Sequence, residues 1–350
     1  MITARTIKVL IVDDSLFMRQ LISRMLECAP DITVIDTAKD GDSALQKIAA
    51  LKPDVVTMDL KMKGLDGLTT LKRIMKECPT PVVILSAYSK EDADITLQCL
   101  GAGAVSFLLK PSGELSLDIE VVKDHLLEQI RAASKVNVGK IKSLAAKGEG
   151  APECGLTGID KIIVIGASTG GPQSLEVILS FLPRDFPASI IVVQHMPTIA
   201  FTESVVRRLK KVCKLVVKVA EDDEYLHPGT VYFVPAGYDL LLIASRLSLV
   251  ADKESSSAQR HFITPSINET MKKVSAIYKD KMLGIILTGM GSDGVTGMGT
   301  IKEHGGKTIA QDESSLIFGM PKEVIDAGFA DKVLPLEKIA DDMLKFVGSG

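Results

Sequence analysis

The stretch that decides the fold is "KIIVIGASTGGP", residues 161–172. A β-branched apolar run leads directly into small residues and glycines, and a proline follows where a helix would begin. Such a run predicts a buried strand, a tight turn and a helix, which is one unit of a parallel α/β sheet. Two kinds of site use this unit. The turn either binds a phosphate at the helix N-terminus or presents a serine as a nucleophile.

The positions of the glycines argue against a dinucleotide site. The G-x-G-x-x-G fingerprint has a glycine where this chain has Ser168, and it needs an acidic residue about 20 positions further on. The next strand, "SIIVVQHM", ends in His195 instead, and no Gly-Lys-Ser/Thr follows that would make a Walker A loop. The pattern Gly166-x-Ser168-x-Gly170 favours a nucleophile turn, and nucleotide binding remains the alternative.

A serine nucleophile needs a base and a group that orients the base. His195 ends a strand of the same predicted sheet, and the carboxyl ends of parallel strands meet at one edge. Asp293 lies in another glycine-rich turn, "TGMGSDG", after a third strand. The order Ser, His, Asp differs from that of α/β-hydrolases and predicts a distinct fold family. A structural role for His195, and N-capping by Asp293 of a helix from Gly294, are the alternatives.

Outward from this stretch, the chain has the pattern of two α/β domains. Its 350 residues suit about two domains of ordinary size. Strand and helix patterns alternate before residue 118 and after residue 161, whereas residues 134–158 have the composition of a linker. We expect domains at 1–125 and 159–350 with a linker at 126–158. Both domains should be doubly wound, the first five-stranded and flavodoxin-like, the second mostly parallel and Rossmann-like.

Composition excludes several classes of function. The formal net charge of −3 and the absence of a dense Lys/Arg tract argue against nucleic-acid binding. No apolar run is long enough to insert into a membrane, and the N-terminus lacks the pattern of a signal peptide. The 5 cysteines form no CxxC pair, which is typical of reduced thiols. We expect a cytoplasmic monomer.

The predicted strand ends of the first domain carry a second candidate site. Its members are Asp13, Asp14, Asp59, Ser86 and Lys110. Three carboxylates at one sheet edge would repel one another unless a cation neutralised them, and hard oxygen ligands suit Mg²⁺. The lysine and the serine hydroxyl would then supply donors to a phosphoryl group.

The motifs "VLIVDDS", "TMDLKMKGLDG", "ILSAYS" and "LLKPSG" resemble those of the response-regulator receiver family over residues 6–125. The resemblance implies that Asp59 accepts a phosphoryl group from the sensor histidine kinase of a chemotaxis system. It also implies that the three carboxylates and the backbone carbonyl of Lys61 bind Mg²⁺. Ser86, Phe107 and Lys110 correspond to the switch positions of that family.

Residues 160–340 carry the motifs "VIGASTGGPQSL", "VVQHMP", "PGTVYFVPAG", "ILTGMGSDG" and "IAQDESSLIFGMP", which resemble the chemotaxis protein-glutamate methylesterase family. The resemblance implies hydrolysis of γ-methyl glutamyl esters on the cytoplasmic helices of chemoreceptors, with release of methanol, and deamidation of specific receptor glutamines. Ser168, His195 and Asp293 would form the catalytic triad, and Thr169 and Met290 would line the site. No cofactor is implied for the hydrolysis.

The order of the two resemblances predicts an enzyme controlled by phosphorylation. We expect the unphosphorylated first domain to cover the Ser168 cleft, and phosphorylation of Asp59 to weaken that contact. One departure from the methylesterase family is Thr264, where many members have a basic residue before the proline. The alternative function is a receiver-regulated output domain that binds a nucleotide or has no catalytic activity.

Overall fold

The computed structural model describes residues 6–87, 89–110, 118–138, 161–243, 246–251 and 265–348. The chain divides into two compact units, Met1–Ser143 and Leu144–Gly350. Most of the predicted linker and Thr264 lie outside the described residues. No helix in the described part of the chain is long and apolar enough to cross a membrane.

The first unit is a parallel sheet with a helix after each strand. Its strands are β1 (Ile7–Val12), β2 (Ile32–Ala38), β3 (Val55–Asp59), β4 (Val82–Ser86) and β5 (Ser106–Leu109). Its helices are α1 (Leu16–Glu27), α2 (Gly41–Leu51), α3 (Gly67–Glu77), α4 (Lys90–Gly101) and α5 (Asp118–Ala133). The strand order β2-β1-β3-β4-β5 confirms the predicted flavodoxin-like fold. Every residue of β3 and β4 is buried, as a sheet covered on both faces requires.

Helix α5 extends beyond the domain boundary that the sequence predicts at residue 125. The helix ends at Ala133, and its residues Leu126 and Ile130 are 1% and 0% exposed. Arg131 also pairs with Asp31 before β2, at 2.7 Å. Because apolar residues at helical spacing hold this part of α5 in the core, residues 126–133 belong to the first unit rather than to the linker.

The second unit contains nine strands and six helices among the described residues. The strands are β6 (Ile162–Ala167), β7 (Ser189–Gln194), β8 (Val216–Val219), β9 (Thr230–Phe233), β10 (Tyr238–Ile243), β11 (Arg246–Ala251), β12 (Met282–Ile286), β13 (Lys307–Gln311) and β14 (Lys332–Leu334). The helices are α6 (Gly171–Phe181), α7 (Ile199–Leu209), α8 (Ile267–Tyr278), α9 (Val295–Glu303), α10 (Met320–Asp326) and α11 (Leu336–Gly348).

Seven of these strands form one sheet in the order β14-β13-β12-β6-β7-β9-β8. All neighbouring pairs are parallel, which confirms the predicted Rossmann-like class. Strands β10 and β11 are also predicted from the sequence, but they form a separate antiparallel hairpin. Strand β14 is not predicted, because its three residues do not form an apolar run and are partly exposed.

The order in which strands are added to the sheet switches sides at β6. From β6 it proceeds through β7 to one edge, and it later returns to the other side of β6 as β12. In open α/β sheets, such a switch point leaves a crevice beyond the carboxyl ends of the central strands. The register pairs Ala167 with Gln194 and Gly166 with Ile286. The residues that follow β6, β7 and β12 therefore meet at this crevice.

Candidate catalytic and phosphoacceptor sites

Ser168 lies in a tight turn between β6 and α6. Its N–H donates to the carbonyl of Thr288 at 3.0 Å, and its own carbonyl accepts from the N–H of Gly171 at 2.8 Å. Gly170 has φ 81° and ψ −4°, the geometry of the third position of a type II turn, where glycine is favoured. The sharp strand-to-helix turn is thus present, but its left-handed residue is Gly170, since Ser168 has no positive φ.

His195 and Asp293 are in direct contact. The imidazole Nε2 lies 2.9 Å from the carboxylate Oδ2, and each side chain is 10% exposed. The same carboxylate accepts hydrogen bonds from the N–H groups of Ile267 (2.8 Å) and Asn268 (2.9 Å), the first two residues of α8. The predicted alternative, a cap on the helix from Gly294, is wrong, because α9 has no side-chain cap.

The environment of Asp293 keeps its carboxyl ionised. Burial raises the pKa of the Asp293 carboxyl, but the hydrogen bond and charge of His195 and the two amides of α8 lower it more, so the net pKa lies below its ordinary value. An ionised carboxylate accepts hydrogen bonds only. His195 therefore carries a proton on Nε2, and the lone pair of a neutral ring lies on Nδ1.

Ser168 and His195 follow neighbouring strands at matching positions. The N–H of His195 donates to the carbonyl of Ala167 at 3.0 Å, which continues the β6–β7 ladder by one residue. Among the described residues no hydrogen bond joins the Ser168 hydroxyl to the His195 ring, although the register places the two residues side by side. Catalytic hydrogen bonds are often long or absent in a free enzyme and tighten with substrate.

A buried glutamine to which no sequence motif assigns a role joins these two residues. The Gln194 amide Nε2 donates to the carbonyls of Ser168 at 2.9 Å and His195 at 3.0 Å. Both N–H bonds of the Gln194 amide thus go to backbone carbonyls just beyond the end of the β6–β7 ladder. The signal available in the sequence was a polar residue that ends strand β7 after four apolar ones, and the structure buries it to 3% exposure.

Met290 lies on the other side of Ser168. A Cβ at the preceding residue, Gly289, would approach the Ser168 Cβ to 2.7 Å, so only glycine permits this spacing. Within the described parts of the chain the Met290 N–H donates no hydrogen bond and can stabilise an oxyanion. The Thr169 carbonyl accepts from the Thr288 hydroxyl at 2.9 Å.

The first unit brings the predicted acidic residues together. The ligand oxygens of Asp13, Asp14 and Asp59 lie within 4.8 Å of one another. Lys110 Nζ lies 2.8 Å from both Asp13 Oδ2 and Asp59 Oδ1. The first and third carboxylates are buried and the second is exposed at the mouth, so this donor set fits a hard cation with an open face.

Burial and charge shift the pKa values in this cluster in opposite ways. Burial, with the nearby charge of Asp13, raises the pKa of the Asp59 carboxyl despite the opposing effect of Lys110. Burial lowers the pKa of the Lys110 ammonium, but its bonds to the two carboxylates raise it more. Lys110 is therefore charged at neutral pH and partly neutralises the acidic pair.

The predicted switch residues Ser86 and Phe107 lie on neighbouring strands. Ser86 ends β4 and is 0% exposed, and its hydroxyl lies within hydrogen-bond distance, 2.9 Å, of the Thr96 hydroxyl of α4. Phe107 is half-buried on β5, opposite Ile84. No sequence motif marks Thr96, whose hydroxyl ties the end of β4 to α4.

Two family models match the chain, "CheB methylesterase" at residues 163–343 and "Response regulator receiver domain" at residues 9–121. The protein-glutamate methylesterase/protein-glutamine glutaminase of Thermotoga maritima is 44% identical over 354 aligned residues, covering 99% of this chain and 100% of that protein. The protein of the same name from Halalkalibacterium halodurans is 43% identical, covering 97% and 98%.

Among solved structures, the crystal structure of the Thermotoga maritima CheB methylesterase catalytic domain is similar to the second unit. It is 45% identical, has a TM-score of 0.50, and the match covers 53% of this chain and 97% of that one. The second unit thus matches this family in sequence and in fold, and the match to curated relatives extends over the first unit as well. The chain belongs to the CheB methylesterase family and carries a response regulator receiver domain before its methylesterase domain.

Proposed function

We propose that this chain is a protein-glutamate methylesterase and protein-glutamine glutaminase that serves adaptation in chemotaxis. Its substrates would be γ-methyl glutamyl esters and specific glutamines on the cytoplasmic helices of chemoreceptors. The observation that carries the proposal is the His195–Asp293 hydrogen bond at the crevice where Ser168 follows the neighbouring strand β6. Neither a nucleotide-binding nor a non-catalytic output domain requires a His–Asp pair at this position.

In the proposed reaction, the Ser168 hydroxyl attacks the ester carbonyl while His195 Nδ1 accepts its proton. Asp293 holds the proton on Nε2 and stabilises the imidazolium that forms. The Met290 N–H donates to the oxyanion. The tetrahedral intermediate then collapses, the C–O bond breaks, and His195 returns the proton to the leaving methoxide, which departs as methanol. Water, activated by the same ring, releases the glutamate side chain from the acyl-enzyme. Ammonia leaves in place of methanol when the substrate is glutamine.

The receiver domain would control this reaction. We assign it to residues 1–125 with the rest of α5, the linker to the residues up to 158, and the methylesterase to 159–350. Mg²⁺ held by Asp13, Asp14 and Asp59 would neutralise the charge of the incoming phosphoryl group. Lys110 would hold the phosphoryl oxygens, and Ser86 and Phe107 would respond to them. The donor would be a sensor histidine kinase of the same chemotaxis system, and the enzyme would act as a monomer.

Tethering keeps the receiver at a high effective concentration near the methylesterase. We propose that the unphosphorylated receiver covers the Ser168 cleft and that phosphorylation of Asp59 shifts the equilibrium toward the uncovered state. Removing residues 1–140 should then raise the basal methylesterase rate, and an unchanged rate would contradict inhibition by cover.

The test is methanol release from methylated receptor membranes with and without a small-molecule phosphodonor and Mg²⁺. Ser168→Ala should lower the rate by a factor on the order of 10³ to 10⁶, as the loss of a triad member does. Asp59→Asn should keep the basal rate and lose only the stimulation by phosphodonor. No release from the unmodified enzyme, or substantial release by Ser168→Ala, would overturn the proposed function.

A further inference from the structure

The buried hydroxyl of Thr288 ties the nucleophile turn to the loop that carries Met290. Thr288 follows β12 and is 0% exposed. Its Oγ1 accepts a hydrogen bond from the N–H of Ile317 at 2.9 Å. The same oxygen lies 2.9 Å from the carbonyl oxygen of Thr169 and 3.3 Å from that of Ile317, so its single proton goes to Thr169.

The backbone of Thr288 is equally committed. Its N–H donates to the side-chain Oε1 of Gln311 at 3.0 Å, and its carbonyl accepts from the N–H of Ser168 at 3.0 Å. One residue thus holds the turn after β6, the end of β13 and the loop before α10. Polar atoms of a buried residue that are all paired give a rigid junction, because breaking any one of them leaves a buried group unsatisfied.

Thr288 lies between Ser168 and the Met290 N–H, the two groups whose separation matters most for the proposed hydrolysis. The Ser168 N–H bonds to the Thr288 carbonyl, and the Met290 N–H follows two residues further along the chain. The Thr169 carbonyl, which the hydroxyl holds, belongs to the peptide that enters the left-handed Gly170. The hydroxyl therefore fixes the turn that presents the nucleophile relative to the loop that presents the oxyanion donor.

We propose that Thr288 is a positioning residue for the hydrolysis, acting through Ser168 and Met290 without touching the substrate. The proposal rests on the proposed function, since the Met290 N–H has this importance only if Ser168 attacks a carbonyl. An oxyanion develops in the transition state and not in the bound ester. Loss of the hydroxyl should consequently lower kcat and leave KM almost unchanged.

Thr308 provides a matched control in the neighbouring strand β13. It is also 0% exposed, and its hydroxyl also bonds one backbone carbonyl and one backbone N–H, those of Phe329 at 2.7 Å and Asp331 at 2.9 Å, and lies 3.0 Å from the Asp331 carboxylate as a second acceptor. It lies one residue from the amino end of β13, however, whereas the crevice is at the carboxyl ends of the strands. Thr308→Val should therefore remove a comparable structural interaction without moving Ser168 or Met290.

The experiment compares Thr288→Val, Thr288→Ser and Thr308→Val in the full-length enzyme, using methanol release under phosphodonor and thermal unfolding of each variant. At a temperature where all are folded, Thr288→Val should lower kcat by about 10- to 100-fold with KM within about twofold, because small misplacement of reacting groups has effects of this size. Thr288→Ser should restore most of kcat, and Thr308→Val should leave kcat unchanged.

Three results would overturn the inference. Thr288→Val could retain the unmodified kcat, lose no more of it than Thr308→Val does, or be matched in its loss by Thr288→Ser. If Thr288→Val does not fold, Thr288→Cys replaces it, since a thiol is a weak donor, and the same loss of kcat is expected. Ser168→Ala, assayed in parallel, distinguishes failure of the proposed function from failure of the role proposed for Thr288. Inactivity of Ser168→Ala supports the proposed function whatever the Thr288 variants show.

Discussion

The ring nitrogen that holds the proton determines how His195 can act as a base. Asp293 is bound from three sides, by the His195 Nε2 and by the amides of Ile267 and Asn268. Burial raises the pKa of the Asp293 carboxyl, but these partners lower it by more, so the net pKa lies below the ordinary value. The carboxylate therefore selects one tautomer of the neutral ring and leaves Nδ1, the nitrogen closer to the backbone, as the ring atom that can accept a proton.

We expect ¹⁵N NMR of the histidine rings to show that the neutral His195 ring carries its proton on Nε2, the nitrogen that contacts Asp293. Asp293→Asn should abolish this preference and lower kcat on the order of 10⁴-fold, because an amide no longer selects the tautomer. His304, whose Nδ1 lies 3.1 Å from the Ser275 hydroxyl, is the internal reference and should not change. A neutral His195 ring with its proton on Nδ1 in the unmodified enzyme would contradict the assignment.

The last two turns of α5 stabilise the receiver domain. A fragment 1–138 retains Leu126 and Ile130, both almost completely buried, and a fragment 1–125 lacks them. Since a buried large apolar side chain contributes about 1.5–3 kcal/mol, the shorter fragment should lose at least about 3 kcal/mol of its free energy of unfolding. Urea denaturation of both fragments measures this difference.

The control for this loss is Arg131→Ala in the longer fragment. The Arg131–Asp31 pair is substantially exposed, with side chains 40% and 39% accessible, so its removal should cost less than about 1 kcal/mol. Equal urea midpoints for the two fragments would show that the end of α5 contributes nothing to the receiver.

Strong periodic patterns made most elements predictable. Buried strands such as β6, β7 and β12 appear in the sequence as apolar runs, and two of the triad candidates, Ser168 and His195, lie directly after β6 and β7. The short edge strand β14 was missed because its residues have no such run. The hairpin of β10 and β11 was predicted as strands, but local sequence does not determine which sheet a strand joins.

The supporting residues of the site were harder to predict than the reacting ones. Gln194 and Thr288 act through hydrogen bonds to backbone groups of Ser168, Thr169 and Ile317, and those partners lie up to 119 residues away in the sequence. Every residue has the same backbone carbonyl, so no sequence motif shows which carbonyl will be a hydrogen-bond partner. Register and packing reveal such contacts, and a sequence pattern specifies neither.

At the scale of the whole molecule, the centre of the large sheet joins distant parts of the chain. Strand β6 pairs with β12, Ile162 opposite Met282, and every residue of both strands is buried. A chain that ends at residue 281 would lack this partner and expose β6 as an apolar edge. Such edges template aggregation, so we expect the truncated protein to be insoluble, whereas the fragment 1–138 should remain soluble.

Sedimentation after expression distinguishes the two fragments. A soluble, cooperatively unfolding chain that ends at residue 281 would show that the central pairing is dispensable for the second unit.

The same pairing sets an order of events during protein synthesis. Domains near the N-terminus generally fold first, and the first unit contains all of its strands before residue 110. The catalytic crevice, by contrast, is complete only after β12 and the turn that carries Asp293 have left the ribosome. Every nascent chain therefore passes through an interval in which its receiver domain is complete and its methylesterase domain is not.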